Sequence, residues 1–145
     1  LSALLERQCP DLALIREQGI TLTWDAAPGI AVRGNRELLT RLLTNLVSNA
    51  YRYGRPDGHI QVSLTETGSE AVLTVADDGI GIAQEEQEKI FRRFYQADPS
   101  RTGQGSGLGL SMVQEIARFH GGSVSLTSEV GKGSTFTVLI KKSAD

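Results

Sequence analysis

The sequence predicts an α/β fold in two layers, with antiparallel strands on one side and helices on the other. Three observations predict it. Apolar residues recur at helical spacing in three separate stretches, residues 2–18, 36–53 and 108–119. Between and after them lie two pairs of alternating segments, each joined by a short polar or glycine-bearing turn. The order is helix, strands, helix, hairpin, loop, helix, hairpin, and 145 residues suffice for one domain with a sizeable core.

The elements follow in chain order. Leu4, Leu5, Leu12 and Ile15 give residues 2–18 an apolar stripe. Pro10 interrupts the pattern and predicts a kink or two short helices. Gly19 is a helix stop. Residues 20–24 read Ile-Thr-Leu-Thr-Trp, the period of a half-buried strand. Ala27-Pro28-Gly29 turns the chain, and residues 30–32 form a short second strand. Asn35 stands where an N-cap belongs, ahead of the helix over 36–53, which Gly54 and Pro56 end. Leu39, Leu43, Leu46 and Ala50 form its buried face. Residues 59–67 and 71–77 make a hairpin around Gly68-Ser69-Glu70, and residues 84–91 a short charged helix. Residues 95–106 are too polar for core and read as a mobile loop. Leu110, Val113, Ile116 and Ala117 give residues 108–119 an apolar face, and Gly121-Gly122 close that helix. Residues 123–127 and 135–141 form the last hairpin.

Composition excludes several classes. Net charge is −2, so no broad basic surface for nucleic acid is implied. The single Cys9 cannot form an internal disulfide. No apolar run reaches the length of a membrane span, and no signal peptide opens the chain. A start at Leu1 rather than Met suggests a piece of a longer protein.

Four stretches could carry chemistry. Asn45, Asn49 and Arg52 stand at i, i+4 and i+7 and share the rim of the buried stripe of residues 36–53. An amide oxygen is a hard ligand suited to Mg²⁺. Arg52 could neutralise phosphate, and Tyr53 offers a flat face to a base. The same pattern also reads as a solvated face. Asp77-Asp78-Gly79-Ile80-Gly81 follows a strand. Its glycines permit a tight turn and close approach of a ligand, and a carboxylate there can accept a hydrogen bond from an amine. It also reads as a plain Asp-Gly turn. Phe91-Arg92-Arg93-Phe94-Tyr95 can pin the base of a loop, with Phe91 and Phe94 at i, i+3. Gly103-Gln104-Gly105-Ser106-Gly107-Leu108-Gly109-Leu110 leads into a helix, whose free N–H groups can bind phosphate. It fits neither the G-x-G-x-x-G nor the P-loop pattern. Gly131-Lys132-Gly133-Ser134 also fails as a P-loop, because glycine follows Lys132.

In this order the four stretches resemble the N, G1, F and G2 boxes of sensor histidine kinases, whose ATP-binding domain belongs to the GHKL superfamily. The resemblance runs from about residue 19 to 141 and includes His120-Gly121-Gly122 and Gly131-Lys132-Gly133-Ser134-Thr135-Phe136. It implies a two-layer α/β sandwich of the Bergerat type, a mixed, mostly antiparallel sheet with about three helices on one face. ATP would lie between helix and lid. The resemblance makes the whole chain one catalytic and ATP-binding domain, with an entry helix over 1–18, a nucleotide-binding core over 19–141 and an ATP lid over 95–106. It implies that Asn49 is the Mg²⁺ ligand with Asn45 beside it, Arg52 the basic residue near phosphate and Tyr53 the aromatic residue on adenine. Asp77 would read the adenine amine, with Gly79, Gly81 and Ile82 lining the base. Arg93 and Phe94 would stand at the lid base. Gly105, Ser106, Gly107, Leu108, Gly109 and Leu110 would surround the phosphates, and Thr135 would help a water bridge Asp77 to adenine. Members often carry a basic residue where this chain has Gln96, so Arg93 or Arg101 would have to compensate at the lid base.

Superfamily ATPases place a general-base glutamate four residues before the Mg²⁺-binding asparagine, where this chain has Asn45, which is no base at neutral pH. That favours transfer to a histidine over hydrolysis. Neither His59 nor His120 sits in an acceptor motif, and both read as structural or exposed. The phosphorylated histidine is therefore expected on a separate dimerisation domain. A response regulator is the downstream partner, and this piece is a monomer with no contact to nucleic acid or membrane. Resemblance also implies a cytoplasmic domain, in many members of a parent held in the bacterial inner membrane. A degenerate nucleotide-sensing module and a GHKL-type ATP hydrolase are the alternatives.

Overall fold

A computed structural model describes residues 1–14, 19–91 and 109–142. Five strands form one sheet: β1 (Thr21–Ala26), β2 (His59–Thr67), β3 (Glu70–Asp77), β4 (Ser123–Glu129) and β5 (Gly133–Lys141). Their spatial order is β1-β2-β3-β5-β4. Every neighbouring pair is antiparallel except β1 and β2, which run parallel. A parallel pair needs a crossover, and α2 (Arg36–Arg52) supplies it. The remaining helices are α1 (Ser2–Ala13), the four-residue α3 (Gln84–Gln87) and α4 (Gly109–Phe119).

Strand alternation builds the interface. Ile60, Val62 and Leu64 of β2, Ala71, Leu73 and Val75 of β3 and Phe136, Val138 and Ile140 of β5 are all buried on one face. The helices cover that face. On α2, Leu39, Leu42, Leu43, Leu46, Val47, Ala50 and Tyr51 are buried, a stripe wider than the four positions expected. Asn35 caps it as expected: its side chain accepts the Leu38 N–H at 3.0 Å.

Two expected elements differ, residues 30–32 and residues 84–91, and of the two outcomes expected at Pro10 the break into two helices does not occur. Pro10 lies inside one helix, not between two. It is exposed, while Leu5, Cys9 and Leu12 carry the buried face, so water can solvate the carbonyl that Pro10 leaves without a donor. Residues 30–32 form no strand, only one isolated bridge from Val32 to Lys142. The Ile30 backbone is satisfied elsewhere, since its N–H donates to Ser2 Oγ at 2.9 Å and its carbonyl accepts the Ser2 N–H at 3.2 Å. Residues 84–91 are helical only over Gln84–Gln87. The end of the helix expected over 2–18 falls outside the described residues, as does the loop over 95–106.

Helix α4 is fastened to α2 at both of its own ends. From the middle of α2, Asn45 Nδ2 donates to the Gly109 carbonyl at 3.3 Å. At its start, the Asn35 N–H donates to His120 Nε2 at 3.0 Å. His120 Nδ1 lies 2.8 Å from the Ile116 carbonyl, so the ring is a neutral tautomer with its proton on Nδ1. His120 is buried and structural, as expected, and Gly34 leaves room for its ring.

Leu46 is fully buried in the core. Leu46→Ala is expected to lower stability by about 2–5 kcal/mol, read as a reduced urea midpoint at unchanged m-value.

Candidate functional site

The candidate site lies where the end of α2, the end of β3 and the start of α4 meet. Asn45, Asn49 and Arg52 are half-buried along one side of α2, beside the apolar stripe. The Asn49 carboxamide has no hydrogen-bond partner among the described residues, although it borders the core. Tyr53 ends the helix. It is 9% exposed, and its carbonyl accepts the Ile80 N–H at 3.1 Å. That bond joins the end of α2 to the stretch after β3.

Asp77 is the last residue of β3, and alternation turns it towards the same face as Val75 and the core. The Gly79 N–H donates to its Oδ1 at 2.9 Å, and the Ser134 N–H also supports the carboxylate. Burial is nevertheless the larger effect and pushes its pKa up to about 6; the charge of Asp78 adds to the rise, against the two N–H donors. Asp78 has a different task. Its Oδ1 accepts the His59 N–H at 2.9 Å and fixes the start of β2.

The glycines of this stretch are needed by the chain itself. A Cβ at Gly79 would fall on the Tyr53 carbonyl and against Gly54. One at Gly81, where φ is +75°, would fall on the Glu129 carbonyl. The close approach expected of a ligand is, on these sides, an approach of backbone to backbone. Ile82 is buried, and its N–H donates to Ser128 Oγ at 2.7 Å. Gln87 Nε2 donates to the carbonyls of Ile82 and Ser128 at 2.9 and 3.2 Å, and the Gly131 N–H to Ile80 at 2.9 Å. Residues 80–82 are thus laced to the β4–β5 hairpin.

Thr135 needs correction. The register pairs Asp77 with Ser134 and Ala76 with Thr135. Thr135 therefore points to the opposite face of the sheet from Asp77, and cannot help it there. Ser134, 5% exposed, stands across from the carboxylate, and Ser128 stands across from Ser134. The signal was available in the alternation of Ser134, Phe136, Val138 and Ile140, in which Ser134 and not Thr135 keeps the core parity.

Gly109 begins α4, and a Cβ there would meet no atom of the described residues within 4 Å. Leu110 is half-buried and packs on the core. Arg93, Phe94, Gly105, Ser106, Gly107 and Leu108 lie outside the described residues, with Gln96 and Arg101. Among the described residues, no three His, Cys, Asp or Glu side chains gather as a metal cluster, and no helix is long and apolar enough to cross a membrane.

A buried strand-end carboxylate, a rim of carboxamides on the facing helix and a glycine opening the third element form a family pattern. Residues 34–144 match the family described as histidine kinase-, DNA gyrase B- and HSP90-like ATPase. The chain belongs to this family, as an ATP-binding catalytic domain of the sensor histidine kinase kind. Over 129 residues it is 42% identical to the sensor-like histidine kinase SenX3 of Mycolicibacterium smegmatis, covering 87% of this chain and 33% of that protein. Over 122 residues it is 43% identical to the sensor histidine kinase RppB of Synechocystis sp., covering 82% and 27%. The chain thus spans a third or less of the length of these curated relatives. Among solved structures, the mycobacterial sensor histidine kinase MprB aligns with a TM-score of 0.86 at 25% identity, over 97% of this chain and 95% of that one. Full-length ShkA in complex with AMPPNP aligns with a TM-score of 0.85 at 26% identity, over 99% and 30%.

The raised pKa of Asp77 carries a stability consequence. Its folded value of about 6 lies above the ordinary 3.8, so the folded state holds the proton more tightly than the unfolded chain. Stability therefore rises as pH falls from above 6 towards 4, and the ionised carboxylate is a cost at neutral pH. Asp77→Asn is expected to stabilise the ligand-free chain by roughly 1–3 kcal/mol near pH 8, with the gain shrinking towards pH 4. Thermal melts of both chains across that range read it.

Gly81→Ala combines a positive φ with a collision against the Glu129 carbonyl. It should cost on the order of 2 kcal/mol or more, seen as a lowered melting midpoint.

Proposed function

We propose that the chain holds ATP with its adenine at Asp77 and its phosphates between the end of α2 and the start of α4, and presents the γ-phosphate to a histidine on another domain of its parent protein. The observation that carries this reading is Asp77. A carboxylate buried at a strand end, held by the Gly79 N–H at 2.9 Å, is costly for the fold and suited to accept from an amine. The likeness to ShkA, whose structure is a complex with AMPPNP, supports a nucleotide as the ligand.

Asn49 fits a Mg²⁺ shared with a nucleotide. It is a half-buried amide with no partner among the described residues, and among those residues no three His, Cys, Asp or Glu side chains gather to hold a metal alone. Mg²⁺ keeps few protein ligands and takes waters and phosphate oxygens for the rest, where it neutralises phosphate charge. The N-terminus of α4, which begins at Gly109, brings the positive end of its helix dipole to the same space. Arg52 stands beside Asn49 on α2.

Asn45 supports transfer over hydrolysis. It is no general base, and its Nδ2 is engaged with the Gly109 carbonyl. The phosphoacceptor is then a histidine of a dimerisation domain in the parent protein, with a response regulator next in line. His59 is exposed and shares Thr23 with Gln61, and His120 is buried against Asn35 and Ile116, so neither is placed as acceptor. A cytoplasmic position, with the parent at a bacterial inner membrane, belongs to the same reading.

Calorimetric titration with a non-hydrolysable ATP analogue tests it. Saturable 1:1 binding is expected. Asp77→Asn should weaken it at least about tenfold, and Asn49→Ala should remove its dependence on Mg²⁺. Absence of binding at millimolar nucleotide would overturn the reading. Phosphohistidine should appear only when the parent's dimerisation domain is added.

A further inference from the structure

Across the inner face of the sheet, one row of side chains runs Ile60, Asp77, Ser134, Ser128 from β2 to β4. The next row inward, Val62, Val75, Phe136 and Leu126, is wholly apolar. The polar row therefore ends the core abruptly, and its hydrogen bonds can be counted atom by atom.

Ser128 Oγ accepts the Ile82 N–H at 2.7 Å, donates to the Gly133 carbonyl at 3.0 Å and lies 2.8 Å from Ser134 Oγ. A hydroxyl has one proton and two lone pairs. With its proton on Gly133 and one lone pair on Ile82, Ser128 has one lone pair left, and Ser134 fills it by donating. Ser134 Oγ has no other hydrogen-bond partner among the described residues, and its support of Asp77 comes from the backbone N–H. The Ser134 proton is thereby turned away from Asp77. What Ser134 offers beside the carboxylate is lone pairs only.

We propose that Ser128 is a positioning residue for base selection: by taking the Ser134 proton, it makes the Asp77–Ser134 edge an acceptor-only surface that admits a 6-amino purine and rejects a 6-oxo purine. This rests on the nucleotide reading above and adds to it a residue that does not touch the base. A 6-oxo purine brings a carbonyl oxygen to the place where the amine would donate, and there it meets a carboxylate and an oxygen without an available proton. Sites that leave such groups unpaired discriminate by more than contact area alone. Ser128 also holds residues 80–82 in place through Ile82, a purely structural task that would affect both purines alike.

The test separates the two tasks by titrating the chain with ADP and with inosine diphosphate, in Mg²⁺, for the wild type, Ser128→Ala, Ser128→Thr and Ser134→Ala. Ser128→Ala frees the Ser134 proton to turn towards the base. The preference for ADP over inosine diphosphate should then narrow by about three- to tenfold, the range of one hydrogen bond. Ser128→Thr keeps the hydroxyl and should restore the preference. Ser134→Ala removes the directed lone pairs and should narrow it too, so the idea can be read even if Ser128→Ala does not fold. Equal weakening of both nucleotides in Ser128→Ala, or an unchanged ratio in Ser134→Ala, would overturn the proposal while leaving the nucleotide reading intact. A wild-type chain that binds neither nucleotide would overturn both.

Discussion

A carboxylate buried at the inner end of β3 is the constraint on which the rest of the site depends. Asp77 stands on the core face of the sheet, one row from Val75 and Phe136, where an ionised group is unwelcome. Two backbone N–H groups, from Gly79 and Ser134, make its charge tolerable without neutralising it. The Gly79 donor exists only because the chain turns sharply after β3. That turn is possible only because Gly79 carries no Cβ to strike the Tyr53 carbonyl. Side-chain chemistry and backbone shape therefore specify each other.

The same stretch couples three elements that are remote in sequence. Tyr53 at the end of α2 accepts from Ile80, Gly131 of the β4–β5 turn donates to Ile80, and Ser128 of β4 accepts from Ile82. Arg55 Nη2 reaches the Gly131 carbonyl at 3.1 Å and closes the ring. Each bond is modest in free energy. Together they leave residues 80–82 little freedom, so the floor of the site is organised before any ligand arrives, and less ordering remains to oppose binding. The opposite wall is α2 and α4, an antiparallel pair tied at the start of α4 by Asn45 and Gly109 and at its end by Asn35 and His120. A shift of α4 would strain both ties.

Much of this was open to reading in the amino-acid sequence. The stripe of Leu39, Leu43, Leu46 and Ala50 defined α2 because a helix repeats every 3.6 residues. The Asn35 cap marked its start, and the alternation of 59–67 marked β2 to the residue. These are local properties, since periodicity, capping and turn chemistry are decided by neighbours a few positions away. The same local chemistry placed Asn45, Asn49 and Arg52 on one side of α2, and set Asp77 at a strand end ahead of two glycines.

Other features were decided only by the fold. No local signal says that β1 runs parallel to β2, because that follows from α2 crossing over between them. Residues 30–32 have strand-like composition, yet Ser2 claims the Ile30 backbone from the far end of α1, and a strand there would have needed those same groups. Gly79 and Gly81 looked like open turns; on the side where a Cβ would stand, tertiary packing puts Tyr53 and Glu129. The choice between Ser134 and Thr135 turned on which residue of β5 stands across from Asp77. Sequence by itself determined the elements and the residue types of the site, because those are set along the chain. Only the tertiary structure decided that Ser134, which has the core parity on β5, pairs with Asp77, and which backbone fills the space beside a glycine, because both depend on strand register and on contacts between segments far apart in the chain.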